Sequence, residues 1–573
     1  METDTSGITT DRDGICADPV GEEARARFGI PYLYPWQRLV IANVLDAVAA
    51  AGKARAKERK NEQGDIEDDE SDEDGADRGR QIVILPTGAG KSLCFQVPAL
   101  FFSAPTLVVF PLVALMADQA RRLKERDIEP AVFRGGQGVE ERNRAYARLE
   151  GSDGKPAAKV VIATPEILAS GEILERLSRR GIAHLAIDEA HCVSEWGDTF
   201  RPAYLTLPRV IERLKPLAVT AFTATASPAV LSRTAEALFG EQVRVVRGES
   251  DRPNISYTVR LCRAKDPALV REAARRKRPL VVFCATRGGT ERTANLLRDT
   301  FDDEAIRFYH AGLSREEKTA VEAWFHGHAN AILTATCAWG LGIDKKNVRT
   351  VIHKDPPPSV EAYVQEAGRA GRDGEPAEAV LLWGPKDRKR FQALAGTQGA
   401  RAAGMVRFAE GSGCRRESLL ETLGDYRAGA DAPEGERIAC SGCDRCAGEA
   451  DDECRDGALV LEYVRRNARS FSRETIADRL TTQGNREARD AGEYPAWKRA
   501  DFIGIIGELE KEGLVRARER WPWRGTMTVT RPSLRPRRPH PSRASRLFSA
   551  RASRVSPHSP PRLPEPREQD SPA

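Results

Sequence analysis

The residues best suited to chemistry in this chain begin with the stretch PTGAGKS at 86–92, which follows the aliphatic run Ile82 to Leu85. Glycines let backbone N–H groups approach an anion, and a helix beginning here would direct its positive end to the same point. A lysine can then reach the β- and γ-phosphates, and a hydroxyl can bind Mg²⁺. Leu85 stands where the usual pattern has glycine, and a plain glycine turn is the alternative. We predict a nucleotide site formed by Thr87, Gly88, Ala89, Gly90, Lys91 and Ser92.

A pair of carboxylates ends another apolar run, in LAIDEAH at 185–191. At the tip of a buried strand Asp188 can hold Mg²⁺, and Glu189 can orient or deprotonate an attacking water. A helix N-terminus with an acid in its first turn is the alternative interpretation. Because Lys91 and Ser92 offer the complementary groups, we interpret the pair as the hydrolytic carboxylates of the phosphate site.

Two further segments carry side chains suited to ATP. Gln37 opens an amphipathic helix after a Pro-aromatic turn, where its amide can read an adenine edge or simply cap the helix. Downstream, YVQEAGRAGRDG spaces Gln365, Arg369 and Arg372 three to four residues apart, so we expect one helix face to present them. Guanidinium groups suit the charge on a transferring γ-phosphoryl group, and a solvent-exposed arginine helix is the alternative.

The elements that position these residues are strands alternating with helical stretches, the pattern of a parallel sheet flanked by helices. In such sheets ligands gather at the carboxyl ends of the strands. Besides Ile82–Leu85, the predicted strands are Thr106–Phe110, Val160–Ala163, His184–Ile187 and Leu217–Thr220, then Leu280–Cys284, Ile306–Tyr309, Ala331–Thr334 and Thr350–His353. Only the first half has a phosphate loop, so we predict that ATP lies between two α/β lobes. The second lobe would add groups in trans, among them Asp344 in the run 335–348.

The run DEAHCVSEWGDTFRPAYLTL at 188–207 resembles the RecQ family of DNA helicases within helicase superfamily 2, in which an aromatic-rich loop follows the DEAH box. The order of motifs from Phe28 to about Trp383 is similar to that of the family, apart from an acidic insert. The resemblance implies two tandem RecA-like lobes and ATP-dependent 3′ to 5′ translocation that unwinds DNA, in repair and recombination. The expected partners are single-stranded and forked DNA, with single-strand-binding or repair proteins as further candidates.

The resemblance also implies roles for individual residues. Trp196 and Phe200 would contact a single strand, with core packing as the alternative for the tryptophan, and Arg201 would hold a phosphate. Arg372 would be the arginine finger and Arg369 its neighbour. The family usually has His-Asp where this chain has Asp-Thr at 198–199.

Cys440, Cys443 and Cys446 follow one another at intervals of three, and Cys414 precedes a helical stretch upstream. Four thiolates are typical of a structural Zn²⁺ site with no open position for catalysis. The 25 residues between the first and second cysteines indicate a looped-out segment at 429–436, and Cys454 could replace Cys414. The RecQ resemblance implies a zinc-binding module at this position.

The segment 455–530 has the pattern of three helices and a hairpin, which we interpret as a winged helix. Ser472 is the expected N-cap of the second helix. Trp523 and Arg524 at the hairpin tip suit phosphate contact and a wedge against a base pair. A small protein-interaction domain is the alternative. The final residues, 531–573, hold ten prolines and ten arginines and predict a disordered basic tail with salt-sensitive DNA affinity.

Charge is unevenly distributed along the 573 residues. The net charge is +5, but residues 62–77 hold ten carboxylates and no Lys or Arg, so the remainder carries +15 and suits a polyanionic partner. The longest apolar run, Pro105 to Ala117, is too short to span a bilayer, and no signal peptide is visible. We expect a cytoplasmic, nucleoid-associated protein with reduced thiols.

These observations predict six segments. They are an N-terminal segment (1–27), a first RecA-like lobe (28–248, with a disordered charged insert at 50–80), a second RecA-like lobe (249–385), a zinc-binding module (386–454), a winged helix (455–530) and the basic tail (531–573). An RNA helicase or non-unwinding translocase, and an inactive DNA-binding scaffold, are the alternative functions.

Overall fold

The computed structural model describes residues 18–61, 79–85, 89–152, 154, 156–195, 202–240, 243–248, 251–340, 345–425, 427–428 and 438–530. Several predictions of the sequence fall outside these ranges. They concern Thr87, Gly88, Trp196, Phe200, Arg201, Asp344, the looped-out segment 429–436 and the tail 531–573.

The first lobe contains a parallel sheet. Its strands are β1 (Arg80–Ile84), β2 (Thr106–Val109), β3 (Ala131–Phe133), β4 (Val160–Ala163), β5 (His184–Ile187), β6 (Ala218–Thr223) and β7 (Arg244–Arg247). They lie in the order β3-β4-β2-β5-β6-β1-β7 and every pairing is parallel. Strands β2, β4, β5 and β6 are wholly buried because helices cover both faces.

The helices of this lobe flank the sheet. They are α1 (Pro19–Phe28), α2 (Pro35–Asn61), α3 (Leu93–Ala99), α4 (Val113–Lys124), α5 (Val139–Glu150), α6 (Pro165–Leu168), α7 (Gly171–Arg180), α8 (Cys192–Glu195), α9 (Leu207–Leu214) and α10 (Pro228–Phe239), with a 3₁₀ turn at Pro202–Thr206. Register places Ile84 beside Thr223 and Ile187 beside Ala221, so the ends of β1, β5 and β6 meet at one edge.

Two elements of this lobe differ from the predicted boundaries. Helix α1 precedes the expected start of the lobe, and its Ala24 and Phe28 pack in the same core as Val83 and Phe222. Helix α2 continues to Asn61, so the predicted disordered insert at 50–80 is wrong over its first residues. The Ala-, Lys- and Arg-rich run there consists of strong helix formers, which extend a helix already started by a packed apolar face.

The second lobe has its own parallel sheet. Its strands are β8 (Ile255–Leu261), β9 (Leu280–Phe283), β10 (Ile306–Tyr309), β11 (Ile332–Ala335), β12 (Thr350–His353) and β13 (Ala377–Trp383), in the order β10-β11-β9-β12-β13-β8. The helices are α11 (Lys265–Arg275), α12 (Arg287–Phe301), α13 (Arg315–Gly327) and α14 (Val360–Ala367), with a 3₁₀ turn at Cys337–Gly340. The two parallel-sheet RecA-like lobes are thus confirmed.

A cysteine-bearing module packs on the open edge of the second sheet. It consists of α15 (Pro385–Glu410), α16 (Arg415–Thr422) and a loop at 438–454, which we call the cysteine loop. Cys443 forms an isolated parallel bridge with Tyr257 of β8, and the backbone N–H of Asp444 donates to the carbonyl of Tyr257 at 3.0 Å. The Asp444 carboxylate accepts from the N–H of Val259 at 2.8 Å. The cysteine loop therefore covers part of the edge of β8.

The last described unit contains α17 (Arg455–Arg466), α18 (Arg473–Asp490), α19 (Arg499–Lys511) and an antiparallel pair of strands, β14 (Val515–Ala517) and β15 (Met527–Val529). The Ser472 hydroxyl accepts from the N–H of Thr475 at 3.3 Å, so its prediction as the N-cap of α18 is confirmed. No helix in the described part of the chain is long and apolar enough to cross a membrane.

A buried ion pair fixes the cysteine loop to α16. Arg415 is 1% exposed and Asp444 is 3% exposed, and Arg415 Nε donates to Asp444 Oδ1 at 3.0 Å. We expect Arg415→Ala to lower the local opening free energy of residues 411–447 by about 3–5 kcal/mol, because it leaves the aspartate buried without its partner. Hydrogen exchange of the backbone amides measures this free energy.

The matched control is Arg465→Ala, which removes an exposed pair with Glu462 on α17. Exposed pairs contribute about 0.2–1 kcal/mol, so exchange in residues 411–447 should stay as in the unmodified protein. Equal effects of the two substitutions would contradict the assignment of Arg415.

Candidate active site

Lys91 lies where α3 begins and faces the two carboxylates of the DEAH turn. Its Nζ is 3.6 Å from Glu189 Oε1 and 3.9 Å from Asp188 Oδ1. The turn is fixed on both sides, because the N–H of Asp188 donates to the carbonyl of Val109 and the N–H of Ala190 to that of Phe222. The parallel register therefore brings the phosphate-loop lysine and the predicted hydrolytic carboxylates together.

The electrostatics of these three groups give the carboxylates different protonation behaviour. Burial raises the pKa of Asp188 to about 6. Burial also raises the pKa of Glu189, but the charges of Lys91 and His191 outweigh it, and the net shift is downward. For Lys91, burial lowers the pKa, but Glu189 and Asp188 raise it above its ordinary value. Glu189 is thus a charged carboxylate near neutral pH, as a base or water-orienting group requires.

His191, which our site predictions omitted, links the carboxylates to the next strand. Its Nδ1 lies 3.3 Å from Glu189 Oε2 and 3.1 Å from the hydroxyl of Thr223, at the end of β6. The Thr223 hydroxyl in turn donates to the carbonyl of Thr225 at 3.0 Å. His191 ends the DEAH run at 188–191, and Thr223 lies in FTATA at 222–226. The sequence does not show that the two residues touch; the pairing of β5 with β6 does.

Gln37 is 1% exposed and holds the phosphate loop. Its Nε2 donates to the carbonyl of Ala89 at 3.0 Å, and its Oε1 accepts from the N–H of Tyr34 at 2.9 Å. The amide thus bridges the aromatic turn and the loop, and its role in reading adenine stays a prediction. Ser92 precedes α3 without a side-chain capping bond in the described structure, and its hydroxyl remains the predicted Mg²⁺ ligand.

The second lobe brings Arg369 and Arg372 to the same cleft. Helix α14 carries Gln365 and ends at Ala367, so the prediction that one helix face presents all three residues is wrong. The residues after Ala367 form a turn, and within it Gly371 has φ +55°, which bends the backbone between Arg369 and Arg372. The two arginines lie instead on the turn 368–374, which we call the arginine turn.

Charges of the arginine turn act across the cleft. Arg372 lowers the pKa of Lys91, and Arg369 lowers that of Glu189, in each case as a lesser cause. Arg369 is 5% exposed, and its guanidinium carbon lies 5.7 Å from the centroid of the Trp339 ring. Burial and the charge of Arg372 lower the pKa of Arg369 to about 9. Charged groups of both lobes therefore face one another at this cleft.

The four predicted zinc ligands lie together in the cysteine-bearing module. The Sγ atoms of these four residues, Cys414, Cys440, Cys443 and Cys446, all lie within 4.8 Å of one another. Those of Cys414 and Cys443 are 3.9 Å apart. A tetrahedral Zn–S₄ site with bonds of about 2.3 Å needs sulfurs about 3.8 Å apart. The donor set and its spacing fit Zn²⁺.

Cys454, the alternative fourth ligand, is not part of that group. It stands at the N-terminus of α17, where burial and then Asp456 raise its pKa to about 12. Cys414 is the cysteine that the fold brings to the other three.

The hairpin tip presents aromatic rings to solvent. Trp523 is 45% exposed with the Arg469 guanidinium 5.3 Å from its ring, and Arg524 is also exposed. Trp521, which our site predictions omitted although it stands in the same WPWR run, is 87% exposed. The two tryptophans and Arg524 form a surface suited to stacking and phosphate contact.

Comparisons with known proteins agree with this geometry. Residues 74–234 match the DEAD/DEAH box helicase family model, and residues 264–374 match the helicase conserved C-terminal domain. The fold is similar to the DEAD-box helicase Mss116 bound to ssRNA and UDP-BeF, with a TM-score of 0.50 and 16% identity, over 92% of this chain and 96% of that one. The DUF1998 helicase MrfA bound to DNA gives a TM-score of 0.50 at 15% identity, over 93% and 65% of the two chains. Fold and site define a two-lobed protein of helicase superfamily 2.

The ATP-dependent DNA helicase RecQ of Bacillus subtilis is 32% identical over 434 residues, which cover 72% of this chain and 70% of that protein. RecQ of Haemophilus influenzae is 34% identical over 375 residues, 64% of this chain and 58% of that protein. RecQ of Pasteurella multocida is 32% identical over 434 residues, 71% of this chain and 64% of that protein. This chain belongs to the RecQ family of DNA helicases, and it spans 58% to 70% of the length of these relatives.

Gly90 provides a test of the contact between Gln37 and the loop. Its φ is +75°, and a Cβ there would lie 2.6 Å from Gln37 Nε2. We expect Gly90→Ala to weaken binding of Mg²⁺-nucleotide at least about tenfold, because it both strains the backbone and pushes the amide away. Titration with a fluorescent ATP analogue measures the affinity. Gly171→Ala, at an open position of α7, should leave it unchanged.

The metal content distinguishes the two candidates for the fourth ligand. We expect about one Zn²⁺ per chain by atomic absorption, lost in Cys414→Ala and retained in Cys454→Ala. Removing the metal with a chelator should unfold residues 411–447, because a structural zinc contributes on the order of 10–16 kcal/mol in small modules. Retention of zinc by Cys414→Ala would contradict the ligand set.

Proposed function

We propose that this chain is an ATP-dependent DNA helicase whose nucleotide lies between the two RecA-like lobes. The observation that carries the proposal is the meeting of Lys91 and Glu189 of one lobe with Arg369 and Arg372 of the other, close enough for the charge of Arg372 to lower the pKa of Lys91 and that of Arg369 to lower the pKa of Glu189. Neither lobe holds a complete site alone, so nucleotide binding and lobe closure are one event.

The side chains divide the hydrolysis of ATP among themselves. Lys91 binds the β- and γ-phosphates, and Glu189 orients and deprotonates the attacking water. Arg372 acts as the arginine finger on the charge that develops at the γ-phosphoryl group, with Arg369 beside it. Ser92 and Asp188 would hold Mg²⁺, which neutralises phosphate charge when bound. Loss of the γ-phosphate removes the anion that holds the lobes together, and they reopen.

The DNA side of the proposal rests on the family and on the C-terminal unit. The three helices and hairpin at 455–530 support a winged helix that contacts the duplex, with Trp521, Trp523 and Arg524 at its tip. Trp196, Phe200 and Arg201 would contact the translocating single strand. We infer 3′ to 5′ movement on single-stranded and forked DNA from membership of the RecQ family, and a structural zinc in the cysteine-bearing module.

The cellular setting follows from the same membership. We infer a role in DNA repair and recombination, with single-strand-binding or repair proteins as partners and a cytoplasmic, nucleoid-associated location. The remainder of the chain outside the acidic run carries +15, which supports a polyanionic partner.

Strand displacement tests the function directly. With ATP and Mg²⁺ we expect unwinding of forked and 3′-tailed DNA, and little of 5′-tailed DNA. Lys91→Ala should lower DNA-stimulated ATP hydrolysis by at least about 10³-fold, because the γ-phosphate loses its cation. Lys53→Ala, an exposed lysine on α2, should hydrolyse ATP at the unmodified rate.

Two outcomes would contradict the proposal. One is DNA-stimulated hydrolysis that survives Lys91→Ala, which would move the nucleotide site elsewhere. The other is displacement of a 3′-tailed RNA duplex in preference to the matched DNA, which would make the chain an RNA helicase.

A further inference from the structure

The segment Asp251 to Asn254 has no role in the function proposed above. It stands between the two lobes and runs directly into β8. The side chains of Asp251, Arg252 and Asn254 contact two other parts of the molecule. One is the arginine turn 368–374, and the other is the cysteine-bearing module.

Arg252 binds the backbone of the arginine turn at three points. Its Nη1 donates to the carbonyl of Gly368 at 3.0 Å, and its Nη2 donates to the carbonyls of Ala370 at 3.0 Å and Gly371 at 2.8 Å. These carbonyls follow the last residue of α14 and lie beyond the regular bonds of that helix. A cation at a helix C-terminus is also electrostatically favourable. The planar guanidinium therefore fixes the backbone on both sides of Arg369.

Asn254 binds the same turn from the neighbouring position. Its Nδ2 donates to the carbonyls of Gly371 at 2.8 Å and Glu375 at 2.9 Å. A Cβ on Gly371 would lie 2.4 Å from that nitrogen, so the contact needs glycine there. The N–H of Gly371 donates to the carbonyl of Val348 at 2.8 Å. The backbone between Arg369 and Arg372 is thus held by side chains that do not reach the nucleotide site themselves.

The arrangement concentrates positive charge. Burial lowers the pKa of Arg252, and the charge of Arg372 lowers it further, although Tyr257 and Asp251 oppose them. Placing a third guanidinium beside Arg369 and Arg372 costs free energy. Three carbonyl contacts offset that cost, and a planar fork with five donors is suited to make them.

The segment Asp251 to Asn254, which we call the linker, is also held by the cysteine-bearing module. Arg416 of α16, which is 1% exposed, forms an ion pair with Asp251 and donates to the carbonyl of Arg252 at 3.0 Å. Ser441, within the cysteine loop, donates to the carbonyl of Pro253 at 2.7 Å. The linker therefore has little freedom to shift without moving either the module or the arginine turn.

We propose that Arg252 is a positioning residue for the arginine finger. It holds the turn that carries Arg369 and Arg372 in the geometry needed at the γ-phosphate, and Arg416 and Ser441 hold the linker from which it acts. This inference rests on the function proposed above for the same site, and it adds a residue whose guanidinium binds the backbone of the arginine turn.

The kinetic test uses the full chain with Arg252→Met, Arg252→Lys and Asn254→Ala. We expect Arg252→Met to lower kcat for DNA-stimulated ATP hydrolysis about 10- to 100-fold, because a small misplacement of a catalytic group costs about that much. KM for ATP should change less than about threefold, since the phosphate loop lies on the other lobe. Arg252→Lys keeps the charge but lacks the planar fork, so its kcat should lie between those of the unmodified protein and Arg252→Met. We expect the same of Asn254→Ala.

The matched control is Arg298→Met. Arg298 also lies in the second lobe and donates to a backbone carbonyl, that of Ile306, at 2.8 Å, but it does not contact the arginine turn. Its kcat should stay within about twofold of the unmodified protein. A loss of kcat equal to that of Arg252→Met would overturn the positioning role, because the loss would then follow from removing any half-buried arginine of this lobe.

A double-mutant cycle with Arg372→Ala tests whether Arg252 acts through the finger. If it does, the double variant should be no slower than Arg372→Ala alone. Multiplicative losses of kcat would overturn the proposal, because Arg252 would then act by another route.

Hydrogen exchange gives a readout that does not depend on activity. In Arg252→Met and Asn254→Ala we expect faster exchange in residues 366–376 and unchanged exchange in β9 and β12. Unchanged exchange in 366–376 overturns the inference. If the unmodified protein had no ATPase activity, the proposed function would be wrong. The hydrogen-exchange result would still decide whether Arg252 holds the arginine turn. If Arg252→Met loses protection throughout the lobe, Arg252→Lys and Asn254→Ala decide the outcome by the same two measurements.

Discussion

The charges that face one another across the cleft are the constraint on which the rest of the structure depends. Lys91, Arg369 and Arg372 bring three positive charges to a region where Asp188 and Glu189 supply the facing carboxylates. Buried charge without full compensation costs several kcal/mol, so the fold must hold these groups in place. In the first lobe these groups follow the carboxyl ends of parallel strands, and in the second lobe the arginine turn lies beside the amino ends of β8, β12 and β13. A polyphosphate would add negative charge to this group of cations.

Much of this arrangement can be predicted from sequence because it depends on short-range patterns. Strands such as Val160–Ala163 and His184–Ile187 have the predicted bounds, since a continuous aliphatic run ended by polar residues describes a buried parallel strand well. Three of the four strands that were missed, β3, β7 and β8, lie at sheet edges. There one side is less buried and the apolar pattern is weaker. The DEAH carboxylates and Lys91 follow strand ends, so their meeting also follows from the predicted topology.

The rest depends on long-range contacts that leave no periodic pattern. Helix α14 ends at Ala367, and the carbonyl of the next residue, Gly368, accepts from Arg252, 116 residues earlier in the chain. Similarly, the sequence predicts Cys414 as the fourth ligand but leaves Cys454 as an alternative, and the folded chain brings Cys414 to the other three cysteines. The exposure of Trp521 could not be predicted from the sequence either. The exposure of a tryptophan depends on how its hairpin packs and not on its neighbours in sequence.

The bridge between Cys443 and Tyr257 also covers part of an exposed strand edge. Strand β8 is the last strand of its sheet, and a bare strand edge of seven residues is a template for pairing with another chain. The cysteine loop occupies part of that edge, and Asp444 places a carboxylate on it. A cysteine loop that came away from β8 would therefore expose an open β-edge to neighbouring chains.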